Sequence, residues 1–188
     1  MALFNRDGLI SRAQEDIRKA SYRYDSAGEL HKVASAPEHE RFDVFLCHSS
    51  LDAKIIHGLM LRLREVGLRV YVDWVVDPQL DRANVTSSTA DRLRLRMRNS
   101  DSLLYAVSEN AVNSKWTPWE LGYSDGLHGR VGMVPIAQQA ASSDHYQGQE
   151  YLGLYPYLVD GASLYMHASQ SNYVAFLAWL REGAKPRR

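Results

Sequence analysis

The sequence predicts an α/β domain with a five-stranded parallel sheet and helices on both faces, preceded by an N-terminal helix. Three observations carry this. Short, nearly continuous apolar runs recur at "RFDVFLCHS" (41–49), "LRVYVDW" (68–74), "SLLYAVS" (102–108), "GMVPIAQ" (132–138) and "SLYMH" (163–167). Runs of this kind belong to strands covered on both faces. Between them lie stretches with helical spacing of apolar residues, the crossovers that parallel neighbours need. The 188 residues, 45% hydrophobic and 23% charged, suit one domain with a real core and small additions.

The elements follow in order. Leu3, Leu9, Ile10, Ala13 and Ile17 recur at roughly helical spacing, so residues 3–24 read as a helix. Residues 25–40, small, polar and interrupted by Pro37, read as a linker. The division is therefore residues 1–40 as helix and linker and residues 41–183 as the main domain. After the first strand, Ser49 with Asp52 three residues on resembles a capping box. Ile55, Ile56, Leu59, Met60, Leu63 and Val66 form one stripe, and Gly67 is a natural stop. Residues 75–85, with Pro78, read as a loop. "DRLRLRMR" (91–98) alternates like a strand, but its Thr/Ser lead-in and the need for a crossover make it a helix. The segment 144–158 reads as a long aromatic loop, and residues 171–182 as the last helix.

Several functions are unsupported. Acids and bases balance at 22 each, which gives no global attraction to nucleic acid or to an acidic membrane. No apolar run approaches the roughly 20 residues that span a bilayer, and the N-terminus is too polar for a signal peptide. The one cysteine, Cys47, forms no internal disulfide, so a cytoplasmic setting is the default. Cys47 reads as a small core residue, because adjacent His48 points to the opposite face of a strand. Glycine-rich phosphate loops, H-E-x-x-H and C-x-x-C are absent, so neither a bound cofactor nor a metal site is expected. A receiver domain would need an acidic cluster where the chain has Leu46-Cys47-His48-Ser49. Arg92, Arg94, Arg96 and Arg98 read as a solvated or ion-paired face. Gly122 and Gly126 suggest close packing against a neighbouring backbone, in the fold or in an assembly.

In such sheets ligands collect at the carboxyl ends of the strands. Those ends here are "CHSS", "DWVVDPQ" and "SENAVNSKWTPWE". The last places Trp116 and Trp119 beside a single acid, Glu120. Thr117-Pro118-Trp119-Glu120 reads locally as a T-x-x-E capping box with Pro at the first helical position. On local sequence alone that structural role is the stronger.

Taken together, "FDVFLCHSSLD" (42–52), "LRVYVDW" (68–74) and "SENAVNSKWTPWELG" (108–122) resemble a bacterial Toll/interleukin receptor (TIR) domain, over about residues 41–182. The resemblance implies a flavodoxin-like sheet and, for many bacterial members, cleavage or cyclisation of NAD. It assigns to Glu120 the essential glutamate and to Trp116 and Trp119 the aromatic positions shaping the site. His48, Ser49 and Ser50 match the loop bordering the pocket. The loop from Trp74 to about Asn84 matches one that contacts the nucleotide and a neighbouring protomer. Cys47 departs from the serine frequent there. A lone TIR domain after a short helix is similar to the signal-making subunit of Thoeris antiphage systems, which implies a diffusible ADP-ribose derivative, a separate effector and TIR–TIR self-association.

The chemistry suits these residues. Nicotinamide is a cation in NAD and leaves neutral, so no general acid is needed, unlike glycosidases with two carboxylates. One carboxylate can stabilise the oxocarbenium charge, a tryptophan face suits the nicotinamide, and a helix N-terminus suits a pyrophosphate. The alternatives are a catalytically silent TIR module acting by assembly, and a flavodoxin-like binder of an intact nucleotide or flavin.

Overall fold

The computed structural model describes residues 1–24, 36–78, 80, 86–138, 145–148 and 150–186. Most of the predicted 25–40 linker and of the loop between Pro78 and Thr86 therefore lies outside the described residues. Among the described residues, eight strands form one mixed sheet, which corrects the expectation of five parallel strands. They are β1 (Phe4–Asn5), β2 (Val44–Cys47), β3 (Val70–Tyr71), β4 (Leu103–Val107), β5 (Val131–Ala137), β6 (Tyr157–Val159), β7 (Tyr165–Ser169) and β8 (Asn172–Ala175). The order is β3-β2-β4-β5-β6-β7-β8, with β1 pairing β5. Pairs from β3 to β6, and β1 with β5, are parallel; β6–β7 and β7–β8 are antiparallel.

The helices are α1 (Arg6–Tyr24), α2 (Ala53–Glu65), α3 (Asp73–Val76), α4 (Ser87–Arg98), α5 (Glu109–Val112), α6 (Thr117–His128) and α7 (Phe176–Glu182). The helical assignment of residues 91–98 holds. The second strand is shorter than expected, because the chain turns into α3 at Asp73. The last helix starts late, because residues 172–175 pair with β7 instead.

Strand alternation explains the continuous apolar runs. Val44, Leu46, Leu104 and Ala106 point to a core beneath α1, α2 and α7, while Phe45, Cys47, Leu103 and Tyr105 point to a second core beneath α4 and α6. The N-terminal segment is woven into the first. Phe4 and Asn5 pair with Ile136 and Ala137, and α1 packs on α2 so closely that a Cβ at Gly58 would lie 2.0 Å from Leu9 O. Gly122 and Gly126, by contrast, have open space where a Cβ would stand, with nothing within 4 Å, so neither serves close packing within the fold. Gly67 at φ +83° and Gly129 at φ +61° end α2 and α6.

Candidate active site

The chain runs from β2 to β3 on one side and then crosses to β4 on the other, so the strand order switches at β2. The carboxyl ends of these three strands form one edge, where a ligand is expected. Two clusters line it.

The first joins the loops after β2 and β3. His48 is buried, and its Nδ1 lies 2.7 Å from Leu46 O; a carbonyl can only accept, so Nδ1 carries the proton. Its Nε2 is 3.4 Å from Asp73 Oδ1, and its ring meets Trp74 edge-on at 4.6 Å. Buried Ser49 starts the following turn, its Oγ accepting from Leu51 N at 3.4 Å, whereas Ser50 faces solvent. The capping box expected from Ser49 and Asp52 does not form. Buried Asp52 instead accepts from Ser108 Oγ and, at 2.6 Å, from Asn110 Nδ2, tying the loop after β2 to the loop after β4.

The second cluster surrounds the start of α6. Glu120 is fully buried on its first turn. Thr117 is not an N-cap: α6 begins at Thr117 itself, with Trp116 as cap residue making no side-chain capping bond. The Thr117 hydroxyl bonds Tyr105 OH at 3.0 Å and donates to Ala111 O at 3.3 Å. Burial pushes the Tyr105 phenol up to about 12, so it stays protonated for this contact. Cys47 Sγ donates to Thr117 O at 3.7 Å, which links this cluster to the strand carrying His48. Ser114 Oγ accepts from the N–H groups of Trp116 and Thr117, at 3.3 and 3.4 Å, and Pro118 has none to give. Much of the anion-binding capacity suggested for this helix start is therefore already used.

Trp116 and Trp119 meet edge to face at 5.3 Å, and Trp119 stacks on Tyr123 at 5.9 Å. The Arg94 guanidinium lies over the Trp119 ring at 5.3 Å. Thus His48 with Trp74, and Trp116 with Trp119, are brought into contact, while Ser50 stands exposed beside the first pair.

The alternating arginines do not share one fate. Arg92 pairs with Glu38 at 3.2 Å, Arg94 with Asp91 at 2.8 Å, and Arg98 donates to Tyr123 OH at 3.0 Å. The ion-paired alternative holds for three of them, but Arg96 is fully buried rather than on a face. It forms a forked pair with buried Asp77, Nε to Oδ2 and Nη2 to Oδ1, both at 2.8 Å. Its partner Asp77, like Asp73, flanks Trp74 in a D-x-x-x-D spacing that could have marked both.

Cavity volume does not by itself locate the site. A cavity of about 580 Å³ opens at the opposite edge, beside Val131, Pro156 and Ser169. Another of about 430 Å³ lies at the carboxyl edge, beside Asp52, Ser108 and Asn110. Among the described residues, no group of three or more His, Cys, Asp or Glu could hold a metal ion, and no helix is long and apolar enough to cross a membrane.

Comparison with known proteins shows the family. The chain is 39% identical over 193 residues to a Bacillus cereus (strain MSX-D12) protein named "Probable 3' cyclic ADP-D-ribose synthase ThsB'", covering 97% of this chain and all of that one. It is 27% identical over 100 residues to TIR2 of Cytobacillus dafuensis, covering 53% of this chain and 26% of that protein. A solved structure, the TIR domain of the Toll-related receptor TRR-2 from Hydra magnipapillata, overlays loosely, with a TM-score of 0.40 and 17% identity over 54% of this chain and 74% of that one. The family model described as "TIR domain" matches residues 44–163. The chain belongs to the TIR domain family.

Proposed function

We propose that this protein is an NAD-cleaving TIR enzyme, of the NAD glycohydrolase or ADP-ribosyl cyclase type, that makes an ADP-ribose-derived signal in antiphage immunity of the Thoeris kind. The observation that carries the reading is the complete burial of Glu120 at the ligand edge, with Thr117, its partner in a capping box, bonded to Tyr105 and Ala111 instead. Burying a carboxylate costs stability, and Thr117 does not serve this one as the N-cap of a capping box. The Bacillus relative, aligned along its whole length, is named for making a cyclic ADP-ribose, which supports the same product class.

In this reading the bond between ribose C1′ and nicotinamide breaks, its electron pair leaving on neutral nicotinamide. The Glu120 carboxylate offsets the positive charge left on the ribose. A nucleophile, either water or a group of the same nucleotide, then bonds to C1′ and loses a proton. His48, Ser49, Ser50 and Trp74 border the nucleotide from one side, and Trp116 and Trp119 from the other. NAD is the substrate, and the departure of a neutral group removes the need for a further cofactor. Residues 41–183 carry the reaction, and residues 1–40 add a strand and a helix to the rim. The protein acts in the cytoplasm, self-associates through TIR–TIR contacts, and reaches a separate effector through its product.

Glu120→Gln tests the reading. The amide fills the same space, so the variant should melt within a few degrees of wild type. It should lose about a hundredfold or more in nicotinamide release from NAD, the typical cost of removing one preorganised group. Near-normal release would take the catalytic role from Glu120, and a wild-type protein that releases no nicotinamide would return it to the assembly-module reading.

A further inference from the structure

We propose that the buried Arg96–Asp77 pair positions the wall of the NAD site formed by Trp74 and His48, with the backbone of residues 36–37 as the third member of the clamp. The proposal rests on the reading of that edge as the NAD site.

Trp74 sits on α3, only four residues long, which cannot hold its own orientation in water. Its position is imposed from outside, at both ends. At the start, Asp73 faces His48, and Asp73 Oδ1 also accepts from Trp74 N at 2.8 Å. At the end, Asp77 N donates to Asp73 O at 2.7 Å, and the Asp77 carboxylate takes both arms of the Arg96 fork. Tyr71 OH donates to the same carboxylate at 3.0 Å.

Arg96 does more than neutralise Asp77. Its Nη1 donates to Pro37 O at 2.7 Å and its Nη2 to Ala36 O at 2.6 Å. Ala36 N in turn donates to Val76 O at 3.0 Å, inside α3. Asn99 and Arg92 of the α4 region hold Glu38, by its carbonyl at 2.6 Å and its carboxylate at 3.2 Å. A strap of chain that precedes the main domain is thus bonded to the same guanidinium that fixes the loop after β3. Burying a pair of charges is often no more stabilising than filling the space with apolar side chains. What an apolar pair cannot reproduce is the directed set of bonds that orients α3.

That difference supplies the test. In the full chain, Arg96→Met combined with Asp77→Leu removes both charges together, so neither is left buried and alone. The expected result is a melting temperature within a few degrees of wild type, kcat within about threefold, and a KM for NAD raised about tenfold as the aromatic wall loses its register. A folded double variant with wild-type KM, or with kcat lowered and KM unchanged, would overturn the proposal. Arg96→Lys is the second arm, because it keeps the charge but a single ammonium cannot serve Asp77 and both carbonyls. Its KM should rise at least about threefold with kcat kept, and an unchanged KM again overturns the proposal. Glu120→Gln assayed alongside separates the failures. If wild type releases no nicotinamide, the NAD reading falls; if wild type is active and Glu120→Gln is inactive while both clamp variants keep wild-type KM, only the clamp falls.

Discussion

On the face of the sheet beneath α1, α2 and α7, the core is built from side chains such as Leu46, Ile56, Leu59, Leu63, Leu104 and Val134. On the face beneath α4 and α6, the rings of Phe42, Phe45, Tyr71, Tyr105 and Tyr157 join aliphatic residues such as Leu93 and Leu103, and that side also holds buried Arg96, Asp77, Thr117, Glu120 and Ser124. The first face gains stability from area removed from water, at about 25 cal/mol per Å². The second gives up part of that gain to hold polar groups in fixed directions. One side of the sheet is thus a support and the other an instrument, although the same strands feed both.

The comparison can be sharpened from the support side first. Leu59→Ala should destabilise the protein by about 2–5 kcal/mol, since Leu59 is fully buried among aliphatic neighbours. Activity per folded molecule should stay at wild type. A melting curve with kcat measured well below the transition checks this, and a fall in kcat would break the division of labour. On the other face, Thr117→Val keeps the shape but loses the bonds to Tyr105 and Ala111. It should cost only about 0.5–1.5 kcal/mol, yet lower kcat by more than Leu59→Ala does, because Thr117 seats the turn that bears Glu120. The smallest effect is expected at Gly126→Ala. This exposed helical position has open space around it, and the protein should gain up to about 1 kcal/mol with unchanged turnover. Impaired turnover would mean that this face of α6 meets another surface during catalysis.

The same contrast explains what the sequence disclosed. β2, β4 and β5 were legible because both cores draw on alternate residues of one apolar run. β1, β6 and β8 were not: β1 runs straight into α1, β6 falls at the end of the aromatic segment expected as a loop, and β8 directly precedes a helix whose apolar pattern masks it. Glu120 and its tryptophans stood out as a local cluster. Thr117 misled, since a T-x-x-E spacing describes a cap unless a tyrosine from another strand claims the hydroxyl. Arg96 was hidden among four alternating arginines, and its partner Asp77 lies 19 residues away, a separation that leaves no local pattern.

The pairing of β1 with β5 has a consequence for how the protein comes into being. Phe4 and Asn5 are made well before their partners Ile136 and Ala137, which lie about 130 residues downstream; at about 5–20 residues per second, the partners emerge roughly 10 s later. Through that interval Phe4 lacks its native strand partner, and α1 reaches its place on α2 before β1 can join the sheet. The docking of α1 through the notch at Gly58 holds the early segment close to where its late partner will arrive. Widening or filling that notch would leave the finished sheet waiting on a much longer search.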